Sequence, residues 1–149
     1  MNEQEVFSLA EYDETIREVL ESGGAFRIYP RGTSMLPLLR EGVDSVLLEK
    51  PDGTLKKGDI AFYRRDNGSY ILHRVIKSGD SYIMCGDNHL TLENGIEQRH
   101  IIGRVCTIYR NDKKISTNGL RYRLYCLLWR SFLIRRVYFR LCRTQNGRR

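Results

Sequence analysis

Tyr70-Ile71-Leu72-His73-Arg74-Val75-Ile76-Lys77-Ser78-Gly79-Asp80-Ser81-Tyr82-Ile83-Met84-Cys85 holds two apolar runs, 70–77 and 81–85, on either side of a short polar segment. Both runs are rich in β-branched and aromatic residues, which suit the pleated surface of a sheet. A glycine-containing polar segment between such runs is a hairpin signal, so the stretch predicts two antiparallel strands joined by the three-residue loop Ser78-Gly79-Asp80. Side chains alternate across a strand, which puts Ile71, His73 and Val75 on one face and Tyr70, Leu72, Arg74 and Ile76 on the other.

Runs of the same kind recur at 25–29, 45–49, 60–64 and 101–110, separated by turn signals such as Pro51-Asp52-Gly53 and Asp66-Asn67-Gly68. Many short strands with hairpin punctuation predict a mainly β, antiparallel body over 25–110. An N-terminal helix is expected within 1–24, because Ser8 and Glu11 make a capping box and Leu9, Tyr12, Ile16, Val19 and Leu20 share a helical face. Gly23-Gly24 ends it. Over 119–149 the character changes to a basic, aromatic-rich helix and tail, expected as one helix from Leu120 to about Arg143. That segment is apolar on more sides than a helix packed only on its own domain requires.

The 149 residues suffice for one domain with appendages. Apolar content of 41% with 29% charged residues argues against wholesale disorder. The net charge of +7 is unevenly spread: up to Tyr109 there are 13 Lys and Arg against 17 Asp and Glu, and from Arg110 onward 12 against 1. An acidic body with a cationic tail directs the tail toward an anionic surface. An anionic membrane surface contacted through 119–149 is one expected partner, with docking on a protein or capping of the β body as equally open alternatives. Nucleic acid is disfavoured because the tail carries no recognition motif.

Cys85, Cys106, Cys126 and Cys142 show no C-x-x-C spacing, so free thiols in a reducing compartment are expected. The acidic start Met1-Asn2-Glu3-Gln4-Glu5 is unlike a signal peptide, and no uncharged apolar run reaches the roughly 18 residues of a membrane span. The expected location is cytoplasmic, or peripheral at the inner face of a membrane. His73, His89 and His100 lack ligand spacing, and no metal or cofactor is expected.

Three pieces could carry chemistry. Ser34 follows Gly32 and precedes Met35-Leu36-Pro37, which places a hydroxyl on a tight turn beside its own backbone N–H, an oxyanion-donor arrangement; a plain turn or cap serine has the same look. His73 stands on a strand among apolar neighbours, where burial favours the neutral imidazole able to accept a proton, as it would for a satisfied core histidine. Asp87, in Gly86-Asp87-Asn88 directly after the second hairpin strand, could fix the imidazole's tautomer, or simply form an Asp-Asn turn.

In the order Ser34-Met35-Leu36-Pro37, Lys57-Gly58-Asp59-Ile60, His73-Arg74-Val75, Gly86-Asp87-Asn88 and Ile102-Gly103-Arg104-Val105, the chain resembles the S24/S26 serine peptidases, the superfamily of type I signal peptidases and self-cleaving repressors. The resemblance runs from about Ala25 to Tyr109. It implies a signal peptidase-like β fold, Ser34 as nucleophile and His73 as general base. Histidine rather than lysine before Arg-Val is similar to the archaeal and endoplasmic-reticulum type. It further implies an acidic third member, Asp87, with Glu93 in reserve, and a peptide or precursor substrate with small residues before the cut. Asp59 and Gly103 match family positions as strand and turn determinants. Two departures stand out: Gly32 replaces a serine that supplies an oxyanion hydroxyl in many members, and the N-terminal membrane span of housekeeping signal peptidases is missing. The rival readings are a catalytically silent peptide-binding or regulatory module of the same fold, and a self-cleaving switch, which the histidine base disfavours.

Overall fold

The computed structural model describes residues 9–115 and 119–146; Ser8 of the expected capping box lies outside them. Helix α1 (Leu9–Glu21) leads into strands β1 (Ala25–Ile28), β2 (Asp44–Glu49), β3 (Ile60–Arg64), β4 (Tyr70–Lys77), β5 (Tyr82–Cys85), β6 (Glu93–Ile96), β7 (Ile101–Arg110) and β8 (Lys113–Ile115). Helices α2 (Leu120–Trp129) and α3 (Phe132–Asn146) follow. The eight strands form an antiparallel sheet in the order β1-β2-β7-β3-β4-β5-β6, with β8 beside β7. The architecture is mainly β, as the alternating runs predict.

The hairpin is present: Arg74 pairs with Cys85 and Val75 with Met84, β5 starting one residue later than expected. Both faces of β4 are covered. Ile71 and Val75 join a core cluster with Leu55, Tyr63, Tyr82 and Met84, while Leu72 and Tyr70 pack with Ile16, Leu20, Met35 and Leu39 on the other side. Strand β4 is therefore the wall between two cores, which is why it reads as nearly continuous apolar sequence. Strands β6 and β8 have no such signal, since Glu93-Asn94-Gly95-Ile96 and Lys113-Lys114-Ile115 each hold a single apolar side chain. They form because β5 and β7 offer them unpaired backbone edges.

Helix α1 lies on β7 through Ile16 and Leu20, and Gly103 permits the contact: a Cβ there would meet Leu20 Cδ1 at 2.9 Å. Asp59 shapes the turn before β3, its carboxylate accepting from Lys56 N at 2.8 Å and its carbonyl from Val75 N at 2.8 Å.

The single C-terminal helix expected over 120–143 is instead two, broken at Arg130-Ser131. Trp129 and Arg135 are both buried against the body. On one straight helix, residues six apart point roughly 120° apart, so both could not face the body squarely. The break lets them. Among the described residues no helix is long and apolar enough to cross a membrane.

Candidate active site

Ser34 opens the turn after β1, held by Leu36 N donating to Thr33 O at 3.2 Å and Leu39 N to Met35 O at 3.0 Å. Met35, Leu38 and Leu39 are buried in the α1-facing core and pin the turn. Its rear is fixed as well, because Asn88 N donates to Ser34 O at 2.8 Å. The Gly32 N–H donates to the Glu41 carboxylate at 3.0 Å, which removes it from the set of oxyanion donors. A groove of about 710 Å³ runs past Ser34, walled by Tyr12, Phe26, Ile28, Met35, Phe62 and Leu72.

His73 comes to the back of the Ser34 turn from the middle of β4 and does not itself line the groove. The spot a Cβ on Gly86 would occupy is 2.6 Å from Ser34 O, 3.0 Å from His73 Nε2 and 3.0 Å from His89 Nδ1. Only a residue without a side chain lets the Ser34 backbone and the two imidazoles converge there. The His73 and His89 rings meet edge to face, with centroids 5.7 Å apart. Ser34 Oγ and His73 make no hydrogen bond with each other among the described residues.

Burial pushes the His73 imidazole down from its ordinary 6.5 to about 4, against the opposing pull of the Glu93 carboxylate. His73 is therefore neutral at neutral pH. Its tautomer follows from the partners of Tyr63. Tyr63 O–H donates to Glu93 Oε2 at 2.7 Å, and its oxygen lies 3.3 Å from His73 Nδ1. Burial raises the Tyr63 phenol far above its usual range, so its one proton stays on, directed at Glu93. Burial opposes ionisation of Glu93, but hydrogen bonds from Arg65 and Tyr63 outweigh it and hold the carboxyl below its usual value. The phenol oxygen can then only accept from the imidazole, which puts the His73 proton on Nδ1 and leaves Nε2 bare toward Gly86 and Ser34.

No family model, curated protein or solved structure matches this chain.

Asp87 does not take the orienting position expected of it. It is fully buried, and both its oxygens are engaged by Arg74, at 2.8 Å from Nε and 2.7 Å from Nη2. Tyr125 O–H also donates to Oδ2 at 2.9 Å, and Arg135 Nη2 lies 3.7 Å from Oδ1. An aspartate beside a buried arginine is drawn to that full positive charge rather than to a neutral imidazole. The pairing joins two of the sequence pieces directly, since Arg74 belongs to His73-Arg74-Val75 and Asp87 to Gly86-Asp87-Asn88. The place beside Nδ1 goes to the reserve residue Glu93, 3.7 Å away and acting through Tyr63.

Tyr63, Arg65 and His89 carry no motif and escape sequence reasoning. Tyr63 has one usable signal: with Ala61 opposite His73 in the register of β3 and β4, it is a diagonal neighbour on the same face.

Proposed function

We propose that the protein is a serine endopeptidase of the S24/S26, signal peptidase-like kind, with Ser34 as nucleophile and His73 as general base. The observation that carries this reading is the bare Nε2 of a buried, neutral His73 brought beside the Ser34 turn at Gly86. In the mechanism, a peptide lies in the groove and His73 Nε2 takes the Ser34 proton as Oγ attacks the scissile carbonyl. Backbone N–H groups of the turn hold the oxyanion, and Gly32 is not among them. His73 gives its proton to the leaving amine and then activates the water that releases the acyl group. Glu93, through Tyr63, steadies the imidazolium formed in between, the work first assigned to Asp87. The signal peptidase-like fold and a cytoplasmic or membrane-peripheral location belong to the same proposal. The groove's apolar walls suit an apolar peptide or precursor segment.

A second reading, a silent peptide-binding module, is favoured by the absence of a hydrogen bond between Ser34 Oγ and His73, although such bonds are often long until substrate tightens them. The deciding experiment treats the protein, Ser34→Ala and His73→Ala with a serine-reactive probe and a signal peptide-like substrate. Cleavage and labelling are expected for the unaltered chain, with a loss of roughly 10²-fold or more in either variant. Cleavage surviving Ser34→Ala defeats the peptidase reading. Peptide binding without cleavage in all three establishes the module.

A further inference from the structure

Helices α2 and α3 are held to the body by one set of side chains and show a different set outward. Inward, Trp129 Nε1 donates to Asp87 O at 2.8 Å, and Arg135 Nη1 donates to Gly86 O at 2.9 Å and His89 O at 3.1 Å. Outward, Leu120 is 83% exposed, Leu124 52% and Leu127 62%, at the spacing of one helical stripe. Leu133 (72%), Val137 (51%) and Leu141 (62%) form a corresponding stripe on α3. Exposed Arg121, Arg123, Arg130, Arg136 and Arg140 stand among them, and 119–146 contain no Asp or Glu.

We infer that this outward face docks on the surface of an anionic lipid bilayer, lying in the interface without crossing it. The chemistry selects that occupant. Exposed leucine stripes lose contact with water only against an apolar phase, and the arginines around them require negative charge at its border. A second copy of the same face would set arginine against arginine, and a nucleic acid would leave the leucines in water. Lipid headgroups above acyl chains satisfy both. The inward set fixes the orientation, since the residues that anchor the helices grip Gly86, Asp87 and His89 beside the candidate site. Docking would therefore hold the Ser34 groove at a constant distance from the bilayer.

The test uses the full chain, because deleting 119–149 would strip hydrogen bonds from the site loop. Ser34→Ala protein is co-sedimented with phosphatidylcholine vesicles with and without phosphatidylglycerol, so the result is independent of any peptidase activity. Binding is expected on the anionic vesicles and to weaken with salt. The exposed pair Leu127→Ser and Leu133→Ser, and separately Arg123→Gln and Arg136→Gln, should each lower partitioning roughly tenfold or more while circular dichroism stays unchanged. Equal binding to neutral and anionic vesicles overturns the charge requirement and with it the proposal. No binding to either vesicle overturns it outright, as does self-association that the leucine substitutions abolish in the absence of vesicle binding.

Discussion

Tyr63 holds one proton between two acceptors, and the choice it makes sets which nitrogen of His73 is bare. Glu93 wins because it is charged and 2.7 Å away. Glu93→Gln removes that charge and frees the phenol proton to turn toward Nδ1, which would move the imidazole proton to Nε2 and block the base. Tyr63→Phe removes the phenol's bonds to both Glu93 and His73, but it leaves Glu93 near the ring and no phenol proton to compete for Nδ1, so Nε2 stays bare and the expected loss in kcat is only about fivefold. On the peptidase reading, kcat should therefore fall further in Glu93→Gln than in Tyr63→Phe, with KM little changed in both. The unaltered enzyme should lose kcat/KM toward acid only near pH 4, where His73 becomes protonated. A pH profile of the three proteins checks both. If Tyr63→Phe is the worse variant, the bridge through the phenol matters more than the Glu93 charge, and the tautomer argument fails.

The elements were legible where apolar periodicity was strong and illegible where a neighbour imposed the structure. Strands β3, β4 and β7 match their apolar runs end to end, whereas β6 and β8 exist only as edges of β5 and β7. The candidate site divides the same way. Ser34 and His73 could be found from sequence, but the partner of Asp87 could not, because no strand pattern tells a carboxylate which of two neighbouring residues, His73 or Arg74, it will face. The α2 and α3 break was hidden for a related reason, as Trp129 and Arg135 are drawn to groups far away in sequence. At this scale Asp87→Asn is the informative change. It would leave the buried guanidiniums of Arg74 and Arg135 without their shared counter-charge and should cost on the order of 3–5 kcal/mol in denaturant unfolding. Ser34→Ala should leave stability nearly unaltered. An Asp87→Asn protein as stable as the parent would show that the helix pair is held by the backbone hydrogen bonds of Trp129 and Arg135 and the aromatic contacts, without the Asp87 charge.

For the molecule as a whole, the buried histidine couples folding to pH. His73 takes a proton at about 4 when folded and near 6.5 when unfolded, so between those values the unfolded chain binds more protons. Stability is then full above about pH 6.5 and is lost as pH falls toward 4, by on the order of 3 kcal/mol. Glu93, held below its usual range, adds a further loss at still lower pH. Unfolding free energies measured across this range should slope more steeply for the parent than for His73→Gln. Equal slopes would place the imidazole in contact with water.

The grip of Trp129 and Arg135 on the Gly86–His89 loop also has a consequence in time. A chain emerging from the ribosome presents Ser34 and His73 long before it presents α2 and α3. Until those helices arrive, the Asp87–Arg74 pair lacks its cover and the loop that brings the imidazole beside the serine turn lacks three hydrogen bonds. The nascent protein thus passes through an interval in which Ser34 and His73 have been made but their shared loop is held only by its own strands and the Asn88–Ser34 bond, and the docking of α2 and α3 ends it.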